Sequence, residues 1–270
     1  MHIVVAVKQV LDPEGVNSYA LWGRLEVAPS GREFTVGDLV PHIINAYDEQ
    51  AVEAALRLKD QLPDCRVTAV AVGSESTAEV LKRCVAMGVD DAVQVLDPES
   101  ARADGFRTAS LLAAVVGEMG DVEAVFCGRQ GSDFDQGTVP AVLAERIGAG
   151  YVTLAADIAS ADGGLRIRRA TAAGEEVVEV RHPAVVTVSN ELGTPRYPTS
   201  RGMLQARRNR PAVREARDLV GEGDASAGVE IVELFVPDVQ GHCEVIEGDS
   251  PAAKAMALME RLRETGALDA

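Results

Sequence analysis

The sequence has few of the residue patterns that build a self-contained catalytic centre. Its four cysteines are scattered without a C-x-x-C pair, which excludes a disulfide framework and a cysteine zinc site and indicates a reducing compartment. Its four histidines lie far apart without metal-ligand spacing, and neither a G-x-S-x-G elbow nor a recognisable catalytic triad is present. We therefore predict no catalytic residue and no metal ligand.

Long apolar runs and positive charge are also scarce. No apolar stretch reaches the roughly 20 residues that span a bilayer. Met1 to Val7 lacks a basic flank and a cleavage site, so it predicts a buried strand rather than a signal peptide. The formal net charge of -16 disfavours a nucleic-acid partner, because an acidic surface repels phosphate. We expect a cytoplasmic protein without membrane insertion, whose one basic strip is residues 207–210.

The first half of the chain alternates strand-like and helix-like segments. Near-continuous apolar runs predict buried strands at His2 to Val7, Arg66 to Val72, Ala92 to Leu96 and Glu123 to Cys127. Amphipathic stretches predict helices at Asp48 to Leu62, Ser76 to Met87 and Asp104 to Met119. Asp48 is the expected N-cap of the first helix, and Ser76 to Glu79 has capping-box spacing. This alternation predicts an α/β, Rossmann-like, mostly parallel sheet with helices on both faces.

The alternation ends after Cys127. One helix is predicted at Val139 to Ile147, and four β-like segments follow at Tyr151 to Ser160, Leu165 to Thr171, Glu175 to Val180 and Ala184 to Val188. Beyond these, the sequence predicts a linker at Glu215 to Gly228, a strand at Val229 to Val236 and a helix at Pro251 to Arg263. We predict a nucleotide-binding domain at residues 1–190, and a partner-docking segment with a carboxyl-terminal arm at residues 191–270.

Three loops at the carboxyl ends of the predicted strands could bind a ligand, since helix amino termini point there. They are Lys8 to Pro13, Gly73 to Ser76 and Gly128 to Thr138. The third combines glycines with the charge of Arg129 and the hydroxyls of Ser132 and Thr138, which suits a phosphate cradle. Its aspartates would accept hydrogen bonds from loop amides, a ribose or an adenine. Because the loop matches neither G-x-G-x-x-G nor the Walker consensus, composition alone supports a capped surface turn equally well.

Four motifs occur along the chain in a characteristic order. They are Val7-Lys8-Gln9-Val10, Asn45-Ala46-Tyr47-Asp48, the Gly128 to Thr138 loop, and Pro183 to Val188 followed by Pro195-Arg196-Tyr197-Pro198. In these motifs, and over nearly its whole length, the chain resembles the β subunit of electron-transfer flavoproteins, including the FixA-like members. The second motif departs from the family's Asn-Pro-Phe-Asp.

The resemblance implies a heterodimer whose larger α subunit holds a redox-active FAD, while this chain binds AMP or a second FAD. Carried over to this sequence, the nucleotide contacts are Ala6, Lys8, Asn45, Asp48, Val72, Gly73, Gly128, Arg129, Gln130, Gly131, Ser132, Asp133, Asp135, Gln136, Gly137 and Thr138. The loop opening Gly128-Arg129-Gln130 is closer to electron-bifurcating members, which favours a second FAD.

The implied function is to shuttle electrons between a flavin dehydrogenase and a downstream acceptor, a quinone reductase or a ferredoxin. NADH would be the donor if the chain is of the bifurcating type. Such a chain is an electron carrier rather than a stand-alone enzyme.

The segment Pro195 to Leu204 corresponds to the family's partner-recognition loop. Ser200 stands where dehydrogenase-serving relatives carry an exposed leucine, and serine cannot fill the same apolar pocket. We therefore expect four arginines to attract an acidic partner instead: Arg201, Arg207, Arg208 and Arg210.

Two other classes share this pattern of strands and helices. A stand-alone ATP or AMP module of universal-stress type would not need the residues that follow Pro195. An ATP-pyrophosphatase should carry a loop rich in serine and glycine after the first strand, where this chain has Lys8-Gln9-Val10-Leu11.

Overall fold

The computed structural model describes residues 1–12, 25–32, 34–36, 40–221, 228–235 and 243–268. Its strands are β1 (His2–Ala6), β2 (Gln9–Leu11), β3 (Leu25–Val27), β4 (Phe34–Val36), β5 (His42–Ile44), β6 (Arg66–Gly73), β7 (Asp91–Leu96), β8 (Ala124–Gly128), β9 (Gly150–Ala161), β10 (Gly164–Thr171), β11 (Gly174–Arg181), β12 (Ala184–Val188) and β13 (Ala212–Glu215). Its α-helices are α1 (Ala46–Gln61), α2 (Ala78–Met87), α3 (Gly105–Met119), α4 (Val139–Ile147), α5 (Ser200–Arg208), α6 (Ala216–Leu219) and α7 (Pro251–Glu264).

Within the described residues, nine strands form one sheet in the order β11-β10-β9-β12-β8-β1-β6-β7-β13. Seven strands pair in parallel with their neighbours, in the order β9-β12-β8-β1-β6-β7-β13. At the other end of the sheet, β9, β10 and β11 form an antiparallel meander. Two short antiparallel ribbons, β2 with β5 and β3 with β4, lie outside this sheet. The predicted α/β, mostly parallel architecture is therefore confirmed.

The central strands are buried on both faces, as their continuous apolar sequences require. In β1, Ile3 and Val5 pack into a cluster with residues of α1 and α2, while Val4 packs into a second cluster with residues of α3 and α4. Successive side chains of a strand point to opposite faces, so two apolar helix layers can cover one sheet. Helices on both faces were predicted, and this layering confirms them.

Two predicted helix starts are wrong in detail. Asp48 is not the N-cap of α1, because that position belongs to Asn45 and Asp48 lies buried in the first turn. Ser76, the first residue of the predicted capping box, does not cap α2: Thr77 holds the N-cap position, and the Ser76 hydroxyl donates to the Gln9 side chain at 2.7 Å instead. In both cases a side chain that suits a cap contacts a neighbouring loop.

The carboxyl-terminal part departs further from expectation. Residues 229–235 form no strand, and Val236 lies outside the described residues. The predicted linker begins with helix α6, and its residues 222–227 also lie outside the described part of the chain. Val229 and Val232 are 60% and 79% exposed, so the segment buries too little apolar surface to be held against the sheet as a strand.

The described residues divide into two compact units, Met1–Leu234 and Phe235–Ala270. The second unit contains α7, whose N-cap Ser250 accepts a hydrogen bond from the Ala253 amide, as the sequence predicted for a helix starting there. No described residue of α7 is buried. The functional division at residue 190 remains a prediction. None of the described helices has the length and hydropathy to span a membrane.

Candidate functional site

Asp48 joins three elements at the carboxyl-terminal edge of the sheet. Its carboxylate accepts hydrogen bonds from the Lys8 amide at 2.7 Å and the Gly128 amide at 3.0 Å. The start of α1 thereby fixes the ends of β1 and β8. A Cβ atom at Gly128 would overlap the Asp48 carboxylate and the Tyr47 side chain. This glycine therefore permits close approach of α1, rather than approach of a ligand.

Burial dominates the ionisation of Asp48. Its removal from water raises the pKa to about 7, although hydrogen bonds from Lys8, Asn45 and Gly128 act in the opposite direction. Asp48 is 6% exposed to solvent. A neutral carboxyl and a carboxylate are therefore both accessible at the junction near neutral pH.

Asn45 fixes the course of the long loop. It is buried, its amide nitrogen Nδ2 donates to the Gln130 carbonyl at 2.8 Å, and its Oδ1 accepts from the Ser132 amide at 3.1 Å. Its own backbone amide donates to the Lys8 carbonyl at 2.9 Å. One side chain thus holds the Gly128–Thr138 loop against the loop that follows β1.

Lys8 makes the second link between these two loops. Its ammonium lies 2.6 Å from one carboxylate oxygen of Asp133 and 5.4 Å from the centre of the Phe134 ring. Asp133 also accepts from the Phe134 amide at 3.0 Å, and Asp135 accepts from the Gln130 side chain at 2.7 Å. The loop aspartates therefore bind groups of their own protein, including a loop amide as expected.

Backbone N–H groups without a hydrogen-bond acceptor among the described residues lie at the end of this loop, where α4 begins. Within the described residues, no hydrogen bond is donated by the amides of Gln136, Gly137, Thr138 or Val139. Gly137 has φ of +61°, and a Cβ atom there would stand 3.1 Å from the Arg129 carbonyl oxygen. Free amides at a helix amino terminus attract anions, so this turn can hold a phosphate group.

Arg129 supplies positive charge beside that turn. Its guanidinium stacks over Tyr47 with 5.3 Å between its Cζ and the ring centre, and donates to the Gln130 side chain at 3.2 Å. No carboxylate in the described part of the chain forms an ion pair with it. This charge is therefore available to a ligand, whereas that of Lys8 is compensated.

The loop after β6 is positioned by residues that were not selected from the sequence. Gln94 is buried on β7, and its side-chain amide donates to the Ser74 carbonyl at 2.9 Å and the Thr77 hydroxyl at 2.9 Å. Gln9 exchanges two hydrogen bonds with Ser76. A glutamine inside the apolar run Ala92 to Leu96 could have predicted such a contact, because a buried polar side chain needs hydrogen-bond partners.

The predicted site residues fall into one connected group and one looser group. Ala6 pairs with Val70 and Cys127 in the sheet, so it lies beside the junction that Asp48 forms. Val72 and Gly73 end the neighbouring strand at the same edge. No hydrogen bond among the described residues joins the loop after Gly73 directly to the Gly128–Thr138 loop.

Comparison with known proteins identifies the family. The family described as electron transfer flavoprotein domain matches residues 34–219. The chain is 30% identical over 269 residues to the caffeyl-CoA reductase-Etf complex subunit CarD of Acetobacterium woodii, with 98% of each chain covered. It is 32% identical over 269 residues to the electron transfer flavoprotein subunit beta of Clostridium acetobutylicum, again covering 98% of each. It is also 32% identical over 208 residues to the acryloyl-CoA reductase electron transfer subunit gamma of Anaerotignum propionicum, covering 76% of this chain and 74% of that protein.

This chain belongs to the electron-transfer flavoprotein family, as a β subunit. The family that its motifs indicated is thereby confirmed, and its function lies in electron transfer. Neither a universal-stress module nor an ATP-pyrophosphatase accounts for similarity that extends over 98% of the chain.

The segment Pro195 to Leu204, for which we predict a docking role, is anchored from both ends. Arg196 donates to the buried carboxylate of Glu53 at 2.8 Å and to Asp60 at 2.8 Å, which ties the segment to α1. Gly202 of α5 packs directly on the Ala86 carbonyl at the end of α2, where any larger side chain would overlap it.

Between and beyond these anchors, the segment exposes apolar and basic side chains. Tyr197 is 86% exposed, and Met203 and Leu204 are 49% and 58% exposed. Within the described residues, no ion pair involves the four arginines that we expect to attract a partner: Arg201, Arg207, Arg208 and Arg210.

Proposed function

We propose that this β subunit binds an adenine nucleotide at the carboxyl-terminal edge of its sheet and pairs with an α subunit that holds FAD. The proposal depends on the backbone amides of residues 136–139, which donate no hydrogen bond among the described residues. These amides lie at the amino terminus of α4, beside Arg129, which forms no ion pair in that part of the chain. Such a turn binds the phosphates of a nucleotide, because its N–H groups and the helix dipole both favour negative charge.

The residues around the turn fit the group. Asn45 and Asp48 fix the loop without using the free amides, and Arg129, which forms no ion pair among the described residues, suits a diphosphate or a monophosphate. We propose a second FAD rather than AMP, on the strength of the Gly128-Arg129-Gln130 loop opening. When bound, a flavin supplies the redox-active ring, and this chain contributes binding, orientation and local electrostatics.

The proposed partners follow from the same reading. Electrons pass between a flavin dehydrogenase and a quinone reductase or ferredoxin, and NADH is the proposed donor for a form with two FAD. Two relatives carry reductase complexes in their names, caffeyl-CoA reductase and acryloyl-CoA reductase. These names support a dehydrogenase-type or reductase-type partner for this subunit.

The phosphate turn can be tested with two matched glycine variants. Gly137→Ala strains a residue at φ of +61° and pushes a Cβ atom toward the Arg129 carbonyl, so the free amides must shift. Gly120→Ala strains a residue at φ of +75° that ends α3 and has open space around it. Both variants should lose about 1 kcal/mol of stability.

Only Gly137→Ala should lose nucleotide, as measured by acid extraction of the purified heterodimer. Equal nucleotide content in the two variants would place the phosphates elsewhere.

A further inference from the structure

A second candidate site lies at the opposite edge of the sheet from the nucleotide loops. A cavity of about 650 Å³ opens where the parallel strands β1, β6, β7 and β13 begin. Its volume lies within the range of pockets that bind small organic molecules. The proposed function makes no use of this cavity.

The acidic side chains in the lining already have partners. Their shortest contacts are Asp90 with Lys59 at 2.5 Å, Asp91 with Arg66 at 2.9 Å, Glu118 with Arg214 at 3.0 Å and Asp121 with His2 at 2.7 Å. Each carboxylate is thus neutralised, or hydrogen-bonded, by a neighbour. Three of the four carboxylates are therefore offset by a cation, and the fourth, Asp121, is hydrogen-bonded to an imidazole.

Two arginines in the lining have no such partner. Arg208 ends α5 and Arg210 precedes β13, with Asn209 between them, and all three contribute to the cavity. In the part of the chain that the structure describes, neither guanidinium makes an ion pair or a side-chain hydrogen bond. On a chain of net charge -16, two uncompensated positive groups beside one cavity form a local anion-attracting wall.

The floor of the cavity is polar and fixed. His2 is 5% exposed, and its Nδ1 lies 2.7 Å from Asp121 while its Nε2 lies 2.9 Å from the Thr68 hydroxyl. These two hydrogen bonds hold the imidazole ring in one orientation. Both ring nitrogens of His2 are thereby occupied and Thr68 is 2% exposed, so an oxygen-rich ligand would find its hydrogen-bond partner in the side-chain amide of Asn209 rather than in these two residues.

We propose that this cavity binds a small phosphomonoester. A phosphomonoester carries about -1.5 to -2 near neutral pH and has several oxygens, so it can contact both arginines at once, whereas a single carboxylate has one charge to share between them. Guanidinium groups also bind phosphate oxygens in a bidentate manner. The cavity is larger than a phosphate group, so it leaves room for the organic part of the ligand.

Titration calorimetry on the purified heterodimer, with its nucleotide in place, tests this proposal. Glucose 6-phosphate is the probe and glucose the uncharged control. We expect saturable binding of the probe alone, weakened at least about tenfold by Arg208→Gln and by Arg210→Gln. Arg201→Gln and Arg207→Gln remove equal charge from positions of α5 outside the cavity lining, and should leave the affinity unchanged.

Two outcomes would overturn the proposal: no saturable binding to the parent protein, or equal weakening in both pairs of variants. Equal weakening would show a general charge effect rather than a site. Melting temperatures close to that of the parent confirm that the variants are folded. Gly137→Ala should keep the phosphomonoester affinity of the parent, so loss of the nucleotide site and loss of this site can be told apart.

Discussion

Asp48 shows how one residue determines the geometry of the carboxyl-terminal edge of the sheet. Its buried carboxyl accepts hydrogen bonds from backbone amides at the ends of two strands and so holds these ends together. Gly128 is needed because the Asp48 carboxyl leaves no room for a side chain at that position. The sequence marked both residues as site candidates. It could not show that they contact each other, because 80 residues separate them along the chain.

The raised pKa of Asp48 predicts an unusual pH dependence. The folded pKa of about 7 lies above the reference of 3.8, so the folded chain holds this proton more tightly than the unfolded chain does. The resulting stabilisation is complete below the reference pKa and is lost as the pH rises through about 7. From about pH 5 to about pH 8, the parent should lose on the order of 2 kcal/mol relative to Asp48→Asn.

Denaturant unfolding of both proteins over this range measures the difference. The asparagine variant lacks the titrating group and keeps the size of the side chain, so all other ionisations cancel. Parallel pH profiles for the two proteins would contradict the raised pKa.

At the scale of elements, the sequence was informative where the signal is local and repeated. Continuous apolar runs predicted the central strands correctly. A strand buried on both faces is apolar along its whole length, so it can be recognised without knowing which strands it pairs with. The predicted caps were wrong because the side chains of Asp48 and Ser76 bond to loops that only the fold brings near. The strand predicted after Val229 was wrong because apolar residues favour a strand only where they pack, and Val229 and Val232 are exposed.

The contact between α1 and the docking segment was equally out of reach of sequence patterns. Glu53 and Arg196 lie 143 positions apart, and the carboxylate is buried. Burial alone would raise the pKa of Glu53, but hydrogen bonds from Arg196 and Arg57 outweigh it and lower the pKa. This contact therefore fixes the start of the segment Pro195 to Leu204 to helix α1.

Arg196→Gln should loosen that segment. We expect a loss of order 1 kcal/mol in stability, since Arg57 still compensates Glu53, together with slower electron transfer to the partner. Nucleotide content should not change. Arg166→Gln removes an arginine from an exposed pair with Glu179 on β10 and β11 and serves as the control. Identical electron-transfer rates in the two variants would show that Arg196 does not position the docking segment.

At the scale of the whole molecule, the charge distribution predicts how the subunit meets its partner. The net charge is -16, yet the docking segment presents unpaired arginines around the exposed Met203 and Leu204. Electrostatic attraction of an acidic partner should therefore speed association and weaken with salt.

Electron-transfer rates measured against ionic strength test that docking mode. The parent rate should fall as salt rises, and the double variant Arg201→Gln, Arg207→Gln should be slower at low salt and nearly insensitive to it. Leu204→Ala should lower the rate at every salt concentration if the leucine adds an apolar anchor. Salt-insensitive parent rates that collapse only in Leu204→Ala would refute electrostatic docking and leave the leucine as the anchor.

The central claim is that this chain holds an adenine nucleotide of its own, beside the FAD of its partner. Co-expression with the α subunit, purification of the complex and chromatographic analysis of an acid extract test it most directly. We predict a yellow heterodimer that releases two FAD. Release of one FAD and one AMP would support a nucleotide site on this chain but show that the site holds AMP rather than FAD. A heterodimer that releases one FAD and no other adenine nucleotide, or a stable colourless monomer that needs no partner, would contradict the account.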